Sequence, residues 1–362
     1  MLELTFTSLK EKFSKLDWSF IKGSTQLSIW IAVARVLGMA FSLVLARVFS
    51  PADYGSIQFA ITLAALASIG TEPFGMHVMA QSIASHMDQP GQAQKTLTNV
   101  ATIQIGVFLV TAAISAPLIW WQAAALMPGI LVILLGQTIF YSYWGLARGF
   151  AAPGRLAAAY VGSNLVQILL VFLLISSLHI HSPLLALTIY GGSYFLPLFL
   201  LQRFWPLYSF SISTSLIDRK YLVDILKFSI PIWASQIGYV LFNAVDILLL
   251  EHFSGSSAVG IYRLNKTIAM AFIFVPQGIA SILMPKVAST DAKTHGSLLK
   301  RSVGIVLLVD IVILIFYLLL IQPFVREFFG TSYIVSISIA ILMASGSILF
   351  GLDTIVASIL VG

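Results

Sequence analysis

Cysteine is absent from the 362 residues, which excludes disulfides and thiolate-bound metals. Charge is nearly as scarce: charged residues make up 9% of the chain, against about one quarter in an average soluble domain. Hydrophobic residues reach 59% and mean hydropathy is +0.96, so the solvent of this chain is a bilayer. No GxxxxGKS/T phosphate loop is present, which excludes nucleotide hydrolysis by that route. Segments of alternating polarity, the mark of an outer-membrane barrel, are missing too. The first 22 residues lack the apolar core and small-residue cleavage site of a signal peptide. Of the six histidines only His179 and His181 lie close together, in a short loop without an acidic neighbour, so they read as a solvated turn and no metal or cofactor is assigned.

What is present is a series of apolar stretches of about 20 residues, each long enough to cross roughly 30 Å of hydrocarbon as a helix. Ten candidate spans follow, near 26–48, 55–84, 99–121, 125–147, 156–178, 183–202, 228–250, 259–284, 301–322 and 333–360. The expected fold is therefore an all-α polytopic membrane protein. Fifteen of the 20 basic residues fall in the amino terminus and in the loops after even-numbered spans; the positive-inside rule then places the amino terminus in the cytoplasm. Trp120 and Trp121 at the outer end of span three, with Tyr141, Tyr143 and Trp144 at the inner end of span four, mark the two interfaces. Residues 1–25 carry Leu9, Phe13, Leu16 and Phe20 on one helical face and lysines elsewhere, as an interfacial amphipathic segment does. The net charge of +6 is thus assigned to topology and leaflet binding, with no nucleic-acid partner.

The chain repeats itself. FSPADYG (49–55) matches FSGSSAVG (253–260), and PFG (73–75) matches PQG (276–278), a shift of 203 to 205 residues. Six spans separate the copies, so both run the same way through the membrane, related by an axis along its normal and enclosing a shared cavity. The organisation read from this is a six-helix bundle over 26–202, a cytoplasmic linker over 203–227, and an incomplete second bundle of about four helices over 228–362. About two further helices are expected to complete the second bundle.

A charge at mid-membrane costs several kcal/mol, so each is a functional candidate. Arg35 and Glu72 lie at similar depth and are expected to pair, with Pro73 kinking the helix beside them. Asp246, Arg263 and Lys266 flank the 253–260 turn; an Asp246–Arg263 bridge pinning the hairpin leaves one cation over. Arg35, Arg263 and Lys266 together make a cationic lumen suited to a phosphate or pyrophosphate, because guanidinium grips phosphate in a bidentate fork. Glu72 and Asp246 are then the charge-pair or gating residues, and Asp310 and Asp353 the candidate coupling-ion residues.

The segments RVLGMAFSLVLARVFSPADYG (35–55) and LKFSIPIWASQIGYVLFNAVDILLLEHFSGSSAVGIYRLNK (226–266) resemble the first and seventh helices of the oligosaccharide flippases of the MOP superfamily. These O-antigen repeat-unit flippases are related to lipid II flippases and to multidrug extrusion proteins of the MATE type. The resemblance implies two bundles in a V around a cationic cavity in a bacterial inner membrane. It implies a cargo of undecaprenyl-pyrophosphate-linked oligosaccharide, moved between leaflets by alternating access without covalent chemistry, for surface polysaccharide or lipopolysaccharide. Membrane lipids, a polysaccharide polymerase and a chain-length regulator are the implied partners. A multidrug antiporter is the alternative, and a membrane glycosyltransferase or glycan polymerase a weaker one, since the outward loops are short.

Overall fold

The computed structural model describes residues 18–85, 90–150, 152–178, 180–196, 216–288, 292–335 and 337–361. The amphipathic face of residues 9–16, the 203–215 part of the linker and His179 lie outside the described residues. Everything described is helix or short turn, in an all-α polytopic membrane architecture. In order, the helices are α1 (Trp18–Val48), α2 (Pro51–Ser68), a π-helical turn (Phe74–Val78) continuing into α3 (Met79–Ala84), α4 (Pro90–Ala123), α5 (Met127–Gly149) and α6 (Pro153–Leu170). They continue with α7 (Pro183–Ser193), α8 (Arg219–Ala269), α9 (Ala271–Ala288), α10 (Ala292–Phe329) and α11 (Ile337–Val361).

These elements follow the ten expected segments. Among the described residues six stretches are long and apolar enough to cross a membrane, two of them being 56 and 51 residues long. At 1.5 Å per residue each of those two exceeds twice the hydrocarbon thickness, so each is a hairpin. The first turns through the 3₁₀ segment Ala124–Leu126 between α4 and α5. The second turns within α8 at Gly255, whose φ of 78° lies in the left-handed region that glycine enters without strain. Arm 219–254 and arm 256–269 result. In the first copy of the repeat the same turn is made differently: Ser50 caps α2, its hydroxyl accepting from the Asp53 N–H at 3.2 Å, with Pro51 at the first helical position.

Pro73 breaks its span as expected. α2 stops at Ser68, residues 69–71 form a turn, and the π-helical turn follows directly after the proline. Extra residues per turn rotate everything beyond Ser68 relative to a straight helix.

The distribution of the core fixes the shape. At the end carrying the 49–50 turn and Gly255 (the turn end), one cluster runs through both halves, from Leu45, Tyr54 and Ile57 to Leu264, Phe272, Tyr317 and Tyr333. Toward the opposite, linker end the cores part: Phe74, Val78, Ile83, Leu97 and Leu146 form one, Leu283, Val287, Val306 and Ile355 another. Among the described residues the halves therefore share a core at the turn end and have separate cores at the linker end. The described end of the expected 203–227 linker lies against the first half: Ile225 and Tyr221 pack with that half's core, and Lys95 pairs with Asp218 at 2.8 Å.

Packing at the turn end carries the signature of the repeat. A Cβ on Gly55 would sit 1.7 Å from the Ser256 carbonyl oxygen, and one on Gly260 would sit 2.0 Å from the Pro51 carbonyl oxygen. Gly260 and Ser256 are the repeat equivalents of Gly55 and Pro51, so the contact is reciprocal, as across a two-fold axis. In lipid no hydrophobic force draws helices together; close approach over small residues does.

Candidate functional site

One turn deeper than the glycine crossing, the repeat-equivalent residues Gln58 and Arg263 meet on the same axis. Arg263 Nε donates to Gln58 Oε1 at 3.0 Å. Arg263 also lies within electrostatic range of Tyr54 and Tyr190. Arg35, on α1, donates through Nη1 to Oε1 of Gln277 on α9, and so reaches from one half to the other. In the first half it lies within electrostatic range of Tyr160 on α6.

The expected charge pairs are redistributed. Arg35 and Glu72 do not pair: the break after Ser68 turns Glu72, half-buried, toward the Gln236 side chain on arm 219–254. Nor does Asp246 pair with Arg263. Its partner is Lys266, one turn farther along the same helix, and Tyr262 adds a hydrogen bond from its hydroxyl to Asp246 Oδ2 at 2.5 Å. Lys266 Nζ lies 5.5 Å from the centroid of the Tyr262 ring, which shares its charge. Residues 262 and 266 lie four apart and thus share a helix face, while Arg263 is rotated toward the axis. Lys266 is consequently the compensated cation and Arg263 the uncompensated one, the reverse of the sequence expectation.

Among the described residues the ion pairs are Lys95–Asp218 and Lys266–Asp246, and neither arginine takes part. Each of the two central guanidiniums is held by an amide oxygen, which orients it without cancelling its charge. Arg47 is spent elsewhere, donating to the Glu327 and Phe328 carbonyls at the end of α10, where a cation suits the helix terminus. Tyr333 completes this seal with a 3.0 Å hydrogen bond to the Phe49 carbonyl.

The two coupling-ion candidates are unlike each other. Asp310 is buried on α10, and neither carboxyl oxygen has a hydrogen-bond partner. Asp353 on α11 is exposed. His181 rests edge-on against Phe49. Gln58, Gln277, Tyr160 and Tyr190 were not read as site residues from the sequence. The signal for Gln58 was available, since it stands 205 residues before Arg263.

Residues 20–285 match the family profile described as "Polysaccharide biosynthesis protein". The chain belongs to that family. Among curated proteins, this family member is 24% identical over 179 residues to the uncharacterized membrane protein MJ1375 of Methanocaldococcus jannaschii, covering 45% of the chain. The chain spans 43% of the length of that relative. Among solved structures it is similar to the inward-facing conformation of a multidrug resistance MATE family transporter of the MOP superfamily. That likeness has a TM-score of 0.61 and 13% identity, over 94% of this chain and 86% of the other, and shows the fold alone.

Proposed function

We propose that this family member is a flippase that carries a polyprenyl-diphosphate-linked oligosaccharide from the cytoplasmic to the outer leaflet of a bacterial inner membrane, with its amino terminus in the cytoplasm. The observation that carries the reading is the pair Arg35 and Arg263, contributed by opposite halves and each held by a neutral amide. Two oriented guanidiniums are fitted to a diphosphate, and Gln58 and Gln277 hold their place until it arrives. Lys266 joins them when Asp246 releases it. The polyprenyl tail stays in lipid, and no bond is made or broken. Opening at the linker end admits cargo from the basic side; parting of the glycine crossing releases it on the other.

Arg35→Gln and Arg263→Gln, each in a strain lacking the chromosomal copy, are expected to lower surface glycan at least tenfold at unchanged protein abundance, with Arg263→Lys intermediate. Full glycan export by the double Gln variant would remove the diphosphate from this site. Direction is tested separately: a cysteine at Gln122 should label in intact cells, and one at Gln92 only after permeabilisation. The reverse pattern inverts the topology.

Asp310 favours a second reading, an ion-coupled antiporter, since a buried carboxyl without a partner is a place to carry a proton. The uncompensated arginines oppose a cationic drug as its cargo.

A further inference from the structure

Beside the arginines, the first half has a wall of rings that no part of the diphosphate reading uses. Trp144 on α5 lies 5.4 Å from Tyr160 on α6, and Tyr190 lies 5.3 Å from Tyr194, both centroid to centroid. Buried Phe140 ties the two pairs together, at 5.7 Å from Tyr160 and 5.2 Å from Tyr194. The phenylalanine is closed off, whereas the tyrosines and the tryptophan stay half-open although they sit between helices. Tyr160 lies within electrostatic range of Arg35 and of Tyr239 on the arm 219–254, and Tyr190 within range of Arg263. The rings and the arginines therefore share one region.

The same region holds hydrogen-bonding capacity that the fold leaves unused. Trp144 Nε1, Gln137 Oε1, Ser163 Oγ and Gln167 Oε1 are buried without partners. On α6 these belong to one helical face, since Tyr160, Ser163 and Gln167 recur at spacings of three and four. Buried polar atoms are nearly always satisfied, so a group of them on adjoining helices calls for a ligand that satisfies them.

We propose that this α5–α6–α7 wall is a saccharide subsite that binds the sugar next to the diphosphate. The proposal rests on the diphosphate reading and adds what discriminates cargo from bare carrier. A pyranose offers a face of C–H groups to the electron-rich face of an aromatic ring, while its hydroxyl rim needs both donors and acceptors. Rings edged with amides and hydroxyls meet both needs. A polyprenyl tail has no use for the polar atoms, and a cationic aromatic drug is repelled by two neighbouring guanidiniums.

The test uses the full chain in lipid nanodiscs, incubated with polyprenyl diphosphates extracted from membranes of the native host, bare and glycan-bearing together. Retained lipids are measured by mass spectrometry as the ratio of glycan-bearing to bare carrier. Wild type is expected to enrich the glycan-bearing form. The double variant Trp144→Ala, Tyr194→Ala, at the two rings away from the arginines, should lower that enrichment on the order of tenfold while retaining bare carrier as wild type does, which also certifies its fold. Trp144→Phe with Tyr194→Phe keeps a ring at each place and should stay within about twofold of wild type. Equal retention of both carriers by wild type, or an unchanged ratio in the Ala variant, overturns the subsite and leaves the diphosphate reading standing. So does a Phe variant that falls as far as the Ala variant. If wild type retains neither carrier, the diphosphate reading fails and the subsite falls with it.

Discussion

The two repeat-related hairpins differ in how they are clasped. In the first, Ser42 on α1 and the Tyr54 hydroxyl on α2 join through a neutral hydrogen bond of 2.6 Å. In the second, the equivalent of Ser42 is occupied by Asp246, which binds Lys266 and Tyr262 across the Gly255 turn. The backbone crossing is shared while the chemistry is not. Small residues set where the helices meet, and side chains at equivalent positions then specialise each copy: a neutral clasp in the first and a charged one in the second.

The comparison breaks most severely at the crossing itself. Gly55→Leu and Gly260→Leu each drive a side chain into the other copy's backbone, and both are expected to cost at least about 1–3 kcal/mol and to wedge the turn end open. A reporter cysteine at Thr62, buried in α2, should then label many times faster than in the unwedged protein; an unchanged rate would show that the crossing is not the seal. Next in size is the charged clasp. Asp246→Asn or Lys266→Met alone should lose about 1–3 kcal/mol, and the double variant should recover most of it, read by thermal unfolding in detergent. Ser42→Ala in the neutral clasp should cost only about 0.5–1.5 kcal/mol, because an alanine strands a hydroxyl and not a charge. If Ser42→Ala equals Asp246→Asn in effect, the two clasps are equivalent after all.

The smallest effect lies at the linker end. Lys95, hydrogen-bonded to Asp218 at the start of α8, holds that carboxyl below the usual carboxylate range, with the Tyr221 N–H assisting. Because the folded value is depressed, the pair's contribution is present above the ordinary aspartate value of about 4 and is lost as pH falls through the folded one. Lys95→Gln should therefore flatten the acid limb of the melting temperature against pH, leaving neutral pH nearly unchanged.

The periodicity of apolar runs was enough to place the helices, because 20-residue stretches in so uncharged a chain have no other use. The repeat was legible as well, since FSPADYG and FSGSSAVG preserve the glycine that the crossing requires. Pairings were not. Which of Arg263 and Lys266 meets Asp246 depends on a rotation of about 100° per residue that loop lengths do not reveal. The turn at residues 69–71 rotates Glu72 away from Arg35, and a proline announces a break without saying where it starts or how many residues it absorbs. Arg35's partner, Gln277, comes from the other half and is found only once the two are docked.

The pair on the axis shows what two unlike halves permit. In a dimer of identical chains a residue at such a position faces its own copy: glutamine can bond to glutamine there, donor to acceptor, whereas two arginines at hydrogen-bonding distance repel. Arginine at 263 opposite glutamine at 58 is thus an arrangement that identical copies cannot adopt and two differing halves of one chain can. It leaves a positive charge between the halves with no second one to oppose it.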